Sequence, residues 1–298
     1  MKKEDLFRSD IPPVKDTYEA FFHAAETHFP TLRVTEFGKS LLGRELFAAE
    51  IGTGGRRLFY VGAHHASEWL TSYLLMDMIV ALADDEKTDV FGIRKEFLLQ
   101  NFTFTILPVL NPDGVRLAIG EIGATPLYER EMRMSGGDFS RWQANARGVD
   151  LNHNYGFGFS EYKRREREAG ILPGATRFSG EYPESEPETR AVASYLRTVM
   201  PTALITLHSQ GEEIYFAPHG DPRAARVARR LSRVLGYPVG TPEGMAAYGG
   251  LSDYAGNVLG IPSYTLEVGR GENPLPLSAY PALCRRVLPA LLRFPAML

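Results

Sequence analysis

A histidine and a glutamate lie three residues apart directly after an apolar, strand-like run. His65 and Glu68 stand in the segment GAHHASEW, residues 62–69, just ahead of a longer apolar stretch that is typical of a buried helix. Side chains three apart at a helix start project to the same side, so both can reach one ion. Imidazole nitrogen and carboxylate oxygen are ligands that zinc accepts. The spacing therefore predicts two metal ligands at a strand-to-helix turn.

A third ligand is needed, and His208 is the histidine best placed to supply it. It directly follows the predicted strand at residues 203–207, where a side chain emerges at the rim of a sheet. Three protein ligands leave the fourth position open to water, which distinguishes a catalytic zinc site from a structural one. The sequence therefore predicts one zinc ion per chain.

A catalytic zinc site also needs a carboxylate that can take a proton from water. Glu267 ends an apolar run just before Gly269. It would lie at the same rim as His208 if their two strands are parallel neighbours. We therefore expect Glu267 to be the catalytic carboxylate.

Each of these residues also has a plainer interpretation. The pattern H-x-x-E is frequent in helices as a solvated pair, and Glu267 alone would be a surface acid at a strand end. We interpret His23 and His28 as surface or half-buried residues, His64 as structural and His219 as a loop residue. The combination of three ligands with a carboxylate at the same rim favours the metal site.

The elements that must position these residues alternate along the chain. Short apolar and β-branched runs predict strands at residues 32–37, 46–51, 58–61, 102–110, 203–207, 214–217 and 263–268. Helical periodicity predicts helices at residues 16–29, 70–82, 185–199, 221–235 and 281–292. Capping-box spacing marks two of the helix starts, with Asp16 and Glu19 at one and Ser185 and Glu188 at the other.

This alternation predicts a single α/β domain with a mixed, mostly parallel twisted sheet and helices on both faces. We expect the catalytic domain to span residues 16–298 after an N-terminal extension at 1–15. Residues 114–179 have weak periodicity and many glycines and arginines. Long loops of this kind are more often functional than idle, so this segment should help to build the site.

Composition narrows the possible partners. The 298 residues are 44% hydrophobic and 23% charged, as in an average globular protein. A net charge of -3 spread along the chain gives no support for nucleic-acid binding. The single cysteine, Cys284, excludes a disulfide framework and a cysteine-rich zinc finger. A metal ion must therefore use histidine and carboxylate ligands.

No targeting or membrane segment is recognisable in the sequence. Two lysines follow Met1, but no apolar stretch lies behind them within residues 1–15, unlike in a secretory signal. No segment reaches the ~20 apolar residues that cross a membrane. The sequence therefore predicts a cytoplasmic protein without a membrane partner, and it gives no indication of the oligomeric state.

Six short segments stand in the order found in zinc carboxypeptidases related to carboxypeptidase A. They are GAHHASEW at 62–69, NPDG at 111–114, GVDLNHNY at 148–155, SEPET at 185–189, TLHS at 206–209 and TLEV at 265–268. Residues 29–52 also resemble the opening strands of that family. The resemblance runs from residue 16 onward. It implies the same fold, zinc bound by His65, Glu68 and His208, and Glu267 as general acid/base.

The sequence departs from this family where a free C-terminal carboxylate is bound. Asn152 and His153 match the family's Asn-Arg pair, so the arginine is missing. Histidine is shorter than arginine and is not permanently charged, so it cannot reproduce the bidentate contact. Ser67 stands where the family often has another arginine. The substrate carboxylate must be recognised differently, or a different bond is cleaved.

Two other family residues have no unique match. The family has an arginine that stabilises the oxyanion, and in one alignment register Gln143 occupies its position. Arg141 or Arg147 could supply that arginine instead. Both arginines could equally be loop-surface residues, and our working choice is Arg141. Tyr248 is the candidate for the mobile substrate-binding tyrosine, although it could be a simple turn aromatic.

Two segments resemble a bacterial subgroup, the γ-D-glutamyl-L-diamino acid peptidases, which cleave peptidoglycan stem peptides after D-glutamate. They are HSQGEE at 208–213 and EVGRGENP at 267–274. This resemblance implies a muropeptide substrate, with Arg270 near one of its carboxylates. Its amine would meet one of three acids, Glu212, Glu213 or Asp253. No wall-binding repeat precedes the catalytic domain, so we expect recycling of internalised muropeptides.

Three other functions remain open from sequence. An ordinary metallocarboxypeptidase and a zinc deacylase of N-acyl amino acids would keep the same four residues. A zinc-binding pseudoenzyme that binds peptides is the alternative outside enzymes. The complete ligand set together with Glu267 argues against a pseudoenzyme.

Overall fold

The fold was examined in a computed structural model, which describes residues 6–13, 16–121, 123, 125–217 and 222–298. His219 and the first residue of the helix expected at 221–235 lie outside these ranges. None of the helices within them combines the length and the apolar character needed to cross a bilayer.

The strands follow the predicted alternation closely. Their bounds are β1 Arg33–Lys39, β2 Glu45–Ile51, β3 Arg56–Val61, β4 Asp89–Val90, β5 Ile93–Arg94, β6 Phe102–Leu107, β7 Ala203–His208, β8 Glu213–Phe216 and β9 Ser263–Glu267. Seven of them form one sheet in the order β1-β2-β6-β3-β7-β9-β8, and β4 pairs with β5 in a separate hairpin.

The sheet is mixed and mostly parallel. Strands β1, β3, β6, β7 and β9 run in one direction, and β2 and β8 run in the other. Strands β7 and β9 are parallel neighbours, with His208 directly opposite Glu267. Ligands of such sheets bind outside the carboxyl ends of the parallel strands, which is where these two residues lie.

Helices cover both faces of the sheet. They are α1 Thr17–His28, α2 Leu70–Ala83, α3 Lys95–Asn101, α4 Pro112–Ala118, α5 Tyr128–Ser135, α6 Phe159–Glu168, α7 Pro187–Val199, α8 Pro222–Leu235, α9 Leu251–Asn257 and α10 Tyr280–Arg293. Helices α1, α2, α8 and α10 contribute to one apolar core, and α7 and α9 contribute to the other.

Strand β3 joins the two cores because its side chains alternate. Leu58 and Tyr60 enter the first core, and Phe59 and Val61 enter the second. A strand that is apolar on both faces must be buried on both, as expected at the centre of a covered sheet. The predicted fold class is therefore confirmed.

Some local predictions were wrong. The strand expected at 102–110 ends at Leu107, because the chain then turns and the amides of Leu110 and Asn111 donate to the carbonyls of Gly62 and Ala63. The segment at 114–179 is not a continuous loop, since α5 and α6 lie within it.

Neither predicted capping box forms. Asp16 occupies the N-cap of α1 without a side-chain capping bond, and the N-cap of α7 is Glu186 instead of Ser185. The Glu188 carboxylate accepts from the Leu41 amide, 2.8 Å away on another segment, so it is not available for its own helix start.

The residues ahead of α1 also contribute to the core. Leu6 and Phe7 are buried, and the ring of Phe7 lies 5.5 Å from that of Phe21 and 5.5 Å from that of Tyr73. Part of the predicted N-terminal extension therefore packs against the domain.

Candidate metal centre

The turn after β3 is built for close approach of backbone segments. A side chain at Gly62 would come within 2.8 Å of the Pro108 carbonyl. The Ala63 amide donates to the Thr71 hydroxyl at 2.9 Å, and this hydroxyl donates to the Glu68 carbonyl at 2.7 Å. Residues Ala66–Glu68 form a 3-10 turn ahead of α2. These bonds fix the direction in which His65 and Glu68 point.

The three predicted ligands converge. Nδ1 of His65 lies 3.0 Å from Oε1 of Glu68, and Nδ1 of His208 lies 3.1 Å from Oε2 of the same carboxylate. One potential ligand atom from each residue falls within 4.8 Å of the others. Glu68 and His208 are nearly inaccessible to solvent. Two nitrogens and a carboxylate therefore face one small volume, as a zinc site with an open position requires.

The electrostatics of the cluster suit a cation. Burial alone would lower the pKa of His65, but the carboxylates of Glu68 and Asp150 outweigh it and hold that pKa well above the usual value. Burial would raise the pKa of Glu68, but His65 and His208 bring it to about 2. Both ring nitrogens of His65 face carboxylate oxygens, an excess of negative charge that a divalent ion would balance. The residues present therefore fit zinc.

Asp150 orients His65 from behind. Its Oδ1 lies 3.1 Å from Nε2 of His65, and its Oδ2 accepts from the Arg177 amide at 2.9 Å. The positive charge of His65 helps to hold the pKa of Asp150 below its usual value despite burial. A carboxylate on the outer nitrogen fixes the ring so that Nδ1 faces the metal position. The sequence did not predict this role, although Asp150 lies inside the segment GVDLNHNY at 148–155.

Asn273 supports Glu68 and was also missed. Its Nδ2 donates to Oε1 of Glu68 at 3.2 Å and to the Ser209 carbonyl at 2.5 Å. Its Oδ1 accepts from the Ser209 hydroxyl at 2.8 Å. Asn273 thereby joins the loop after β9 to the residue that follows His208. No local pattern signals this contact, because Asn273 is 205 residues away from Glu68.

Glu267 lies beside the ligand cluster, at the end of β9. Burial is the main cause that raises its pKa to about 8, and the negative charge of Glu68 adds to it. A carboxyl group in this environment can hold a proton and release it to a more basic atom.

A cavity of about 140 Å³ opens beside Glu267. Its polar lining comprises His65, Asn152, His153, Tyr215, Ser252, Asp253, Thr265 and Glu267. The hydroxyls of Ser252, Thr265 and Thr206 bond to one another at 2.9 to 3.1 Å. Burial raises the pKa of Asp253 to about 6. Among the residues that the structure describes, no lysine or arginine lines this cavity.

His153 lies in the cavity wall in a fixed orientation. Its Nδ1 lies 2.9 Å from the Tyr248 carbonyl, and its ring stacks on Tyr162 with 4.2 Å between centroids. Since a carbonyl only accepts, Nδ1 carries the hydrogen and a neutral ring presents Nε2 as an acceptor. Burial lowers the pKa of His153, which favours the neutral form. As a neutral acceptor, Nε2 of His153 would bind an N–H group of a substrate better than it would bind a substrate carboxylate.

The candidate oxyanion arginines do not line the cavity. Arg141 is mostly exposed and pairs with Glu272, and Arg147 lies 3.5 Å from Glu186. Gln143 lies closer to the metal position. Its side-chain oxygen accepts from Thr176, and its carbonyl accepts from the Ala66 amide within the turn that carries His65 and Glu68.

Two further predicted substrate-binding residues do not line the cavity. The ring of Tyr248 packs against Gly158, and the Arg165 guanidinium lies 5.1 Å from its centroid. Arg270 pairs with Glu212 at 2.9 Å and lines a separate cleft. Asn152, His153 and Asp253 are thus the predicted substrate residues that the structure brings together with Glu267.

A buried group of carboxylates supports the loop that carries Gln143 and Asp150. The Asn145 amide donates to Glu186 at 2.8 Å and to Glu188 at 3.4 Å. Burial, reinforced by the charge of Asp113, raises the pKa of Glu188 to about 8. The quoted segments NPDG and SEPET supply these acids, so their part in the fold is to anchor this loop.

Comparisons with known proteins identify the family. A family model described as zinc carboxypeptidase matches residues 18–288. The γ-D-glutamyl-L-diamino acid endopeptidase 1 of Lysinibacillus sphaericus is 30% identical over 273 residues, which cover 88% of this chain and 67% of that protein. Human carboxypeptidase O is 30% identical over 229 residues, which cover 68% of this chain and 54% of that protein.

Solved structures share the fold. Thrombin-activatable fibrinolysis inhibitor superposes with a TM-score of 0.74 at 21% identity, covering 97% of this chain and 74% of the other. Murein-tripeptide amidase MpaA from Escherichia coli O157 gives a TM-score of 0.56 at 19% identity, covering 87% and 91%. The chain belongs to the zinc carboxypeptidase family and is a zinc metallopeptidase.

Proposed function

We propose that this metallopeptidase hydrolyses the bond between the γ-carboxyl group of D-glutamate and a diamino acid in peptidoglycan stem peptides. Its relative from Lysinibacillus sphaericus is named for this bond, and one structural neighbour is named for a murein tripeptide. The observation that carries the proposal is the charge of the cavity beside Glu267.

A carboxypeptidase must bind a free carboxylate close to the bond that it cleaves. The described part of the cavity offers no cation for this purpose, since His153 stands where the family has arginine and is held with Nε2 as an acceptor. Asp253, whose pKa of about 6 leaves it largely ionised at neutral pH, instead gives the cavity a negative charge. Such a lining favours the amine of a diamino acid and disfavours a terminal carboxylate.

The chain's own residues would carry the proton transfers. When bound by His65, Glu68 and His208, zinc supplies a Lewis acid that polarises the carbonyl and lowers the pKa of the attacking water. The Glu267 carboxylate accepts a proton from that water as the new C–O bond forms. It then delivers the proton to the amine nitrogen as the C–N bond breaks. Asp150 keeps the His65 ring in place throughout.

Mass spectrometry of the reaction products tests the proposal. The zinc-loaded protein is incubated with L-alanyl-γ-D-glutamyl-diaminopimelyl-D-alanine, whose diamino acid has no free carboxylate next to the scissile bond, and, separately, with a panel of peptides ending in Phe, Leu or Arg. We expect release of diaminopimelyl-D-alanine and little release of ordinary C-terminal residues. The matched control is L-alanyl-α-L-glutamyl-diaminopimelyl-D-alanine, which has the same composition and a different linkage.

Two outcomes would contradict the proposal. Rapid release of Phe, Leu or Arg without cleavage of the γ-D-glutamyl peptide would indicate an ordinary carboxypeptidase. Equal cleavage of the γ-D and α-L linkages would show that the enzyme reads only the diamino acid.

A further inference from the structure

A second cleft, distinct from the catalytic cavity, is lined by the loops that follow His208 and Glu267 and by α10. It has a volume of about 250 Å³, and its polar lining consists of Glu212, Tyr237, Arg270 and Arg286. Arg270 is three residues after Glu267, and Glu212 is four residues after His208. The loops that carry them run side by side, because the Gly211 amide donates to the Gly269 carbonyl at 2.8 Å. We call this site the arginine cleft.

Two arginines from different elements hold one carboxylate there. Nε of Arg270 lies 2.9 Å from Oε2 of Glu212, and Nη1 of Arg286, on α10, lies 2.8 Å from Oε1. Each oxygen of the carboxylate therefore has its own guanidinium partner. Two arginines against one glutamate leave the cleft with a net positive charge, which favours an anion.

The resident carboxylate stands on a strained and adaptable segment. Glu212 has a φ of 54°, a conformation that side-chain-bearing residues seldom adopt. Gly211 precedes it, and Arg270 lies between Gly269 and Gly271, all three with positive φ. Backbone around glycine rearranges at low cost. Side chains of Glu212 and Arg270 can thus move without disturbing the buried ligands.

A buried hydroxyl also faces this cleft. Tyr237 is 1% exposed and lines the cleft, yet its hydroxyl makes no hydrogen bond of normal geometry. It lies near Arg286 and the backbone of Gly269, both of which act to lower its pKa against the dominant effect of burial. The guanidinium of Arg286 is 5.7 Å from its ring centroid. Tyr237 therefore packs beside Arg286 at the buried end of the cleft.

The geometry points to the arginine cleft as a carboxylate subsite on the acyl side of the scissile bond, where the substrate's D-glutamyl α-carboxylate displaces Glu212 from Arg270 and Arg286. The catalytic cavity and the arginine cleft then have opposite preferences. The acidic cavity takes the diamino acid, and the basic cleft takes the acidic residue. This inference rests on the proposed function and adds the residues that read the acidic half of the substrate.

Binding of two product analogues tests the subsite. Acetyl-L-alanyl-D-glutamate and acetyl-L-alanyl-D-isoglutamine both keep the γ-carboxylate and differ only in whether the α-group is carboxylate or carboxamide. We expect the zinc-loaded protein to bind the carboxylate form about tenfold tighter or more by isothermal titration calorimetry, since a charge-assisted pair is lost with the carboxamide.

Three variants assign that preference to the cleft. In Arg270→Gln and Arg286→Gln the preference should fall to about threefold or less, because one guanidinium partner is gone. In Glu212→Gln it should increase, because the competing carboxylate has been removed. Arg285→Gln is the control, since it removes the same charge from the exposed neighbour of Arg286 on α10, which does not line the cleft. It should retain the wild-type preference.

The outcomes separate this inference from the proposed function. The subsite alone is overturned if the enzyme cleaves the γ-D-glutamyl peptide but binds the carboxylate and carboxamide analogues equally. It is also overturned if both arginine variants keep the preference for the carboxylate analogue. An unchanged preference in Glu212→Gln overturns the displacement. Absence of cleavage combined with an arginine-dependent preference overturns the proposed function and leaves the subsite standing. Absence of both overturns both.

Discussion

The metal centre and the arginine cleft are both reached from the loops that follow His208 and Glu267, and they are built in opposite ways. At the metal centre, His65, Glu68 and His208 are held by β3, β7 and the turn before α2, and Asp150 and Asn273 fix two of them from outside. In the cleft, the Arg270 side chain is 80% exposed and stands on a loop between glycines.

The difference separates two tasks. Groups that bind a metal ion and move a proton must be placed before the substrate arrives, because their geometry determines the rate. Groups that recognise a flexible, charged peptide can adjust, since contacts on exposed loops cost little to rearrange. Substitutions at the metal centre should therefore have large effects on metal content or turnover, whereas those at the periphery should shift substrate preference.

The largest effect is expected from removing a ligand. His65→Ala and His208→Ala should lose zinc and all measurable turnover, because two remaining ligands hold the ion poorly. Metal analysis of the purified variants checks this. His64→Ala is the matched control, since the His64 ring faces the Tyr155 hydroxyl at 3.2 Å and is outside the ligand cluster. Stoichiometric zinc in both ligand variants would show that the assignment is wrong.

The second-largest effect is expected from removing the catalytic carboxylate. Glu267→Gln preserves size and hydrogen bonding but cannot accept the proton of water, so kcat should fall by about 10²- to 10⁴-fold. Zinc content should remain near that of the wild type, because Glu267 is not in the ligand cluster. Steady-state kinetics and metal analysis on one preparation measure both. A kcat within a factor of about two of the wild type would move the acid/base role to another residue.

The outer support of His65 should matter less than the ligand itself. Asp150→Asn keeps an acceptor for the Arg177 amide but removes the charge that faces Nε2 of His65. Zinc affinity should fall by about 10- to 100-fold, measured by competition with a chelator. Asp253→Asn removes a carboxylate of the catalytic cavity that makes no hydrogen bond to a metal ligand, and the zinc affinity of this variant should not change. Equal losses of zinc affinity in Asp150→Asn and Asp253→Asn would indicate a general effect of removing negative charge.

The buried acid Glu188 offers a test on the scaffold. Its pKa is raised to about 8 in the folded chain, against 4.5 as the ordinary value. Between these values the folded state holds one more proton than the unfolded state, so stability falls as pH rises, by up to about tenfold in the folding constant per pH unit. Below pH 4.5 Glu188 is protonated in both the folded and the unfolded state, and its full contribution to stability is present.

Glu188→Gln keeps the group neutral at every pH. The difference in the free energy of unfolding between variant and wild type, measured by urea denaturation from pH 5 to 8, should therefore move in favour of the variant as pH rises. A difference independent of pH would mean that Glu188 is ionised in the folded protein. Titrating groups that do not interact with Glu188 cancel in this comparison.

The sequence predicted the metal centre better than its surroundings for a physical reason. His65 and Glu68 are set by local spacing, and His208 and Glu267 end apolar strands that proved to be parallel neighbours. The contact of Asn273 with Glu68 joins distant segments and leaves no local pattern. The directions of Arg141 and Arg270 depend on their exposed pairs with Glu272 and Glu212.

The missed helices have a similar explanation. Helix α6 is rich in charged residues and lacks a wide apolar stripe, so its periodicity is weak. It is supported by surface pairs, with Arg164 and Arg165 both bonded to Glu161. Apolar periodicity detects helices that bury a face, and it overlooks those stabilised largely by side-chain pairs on their own surface.

The smallest expected effect is a change in preference at the cavity wall, produced by His153→Arg. The variant restores the residue type that the family uses for a terminal carboxylate, and its planar guanidinium can stack on Tyr162 as the imidazole does. We expect kcat/KM for peptides ending in Phe or Leu to rise a few-fold, and kcat/KM for the γ-D-glutamyl-diaminopimelyl-D-alanine peptide to fall, because its diamino acid has no free carboxylate next to the scissile bond and loses the acidic surroundings of its amine.

The gain in His153→Arg should be modest because the new cation enters a cavity of only about 140 Å³ beside Asp253, which competes for it. His153→Gln is the control, since it removes the ring without adding charge and should not improve cleavage of ordinary peptides. Competition between the two substrates in one reaction, followed by mass spectrometry, measures the ratio directly. A similar gain in His153→Gln would mean that the bulk of the imidazole, and not the missing charge, excludes ordinary C-terminal residues. Substrate recognition by the cavity wall at His153 would then depend on shape. The catalytic cavity and the arginine cleft would no longer differ in the charge of the group that they select.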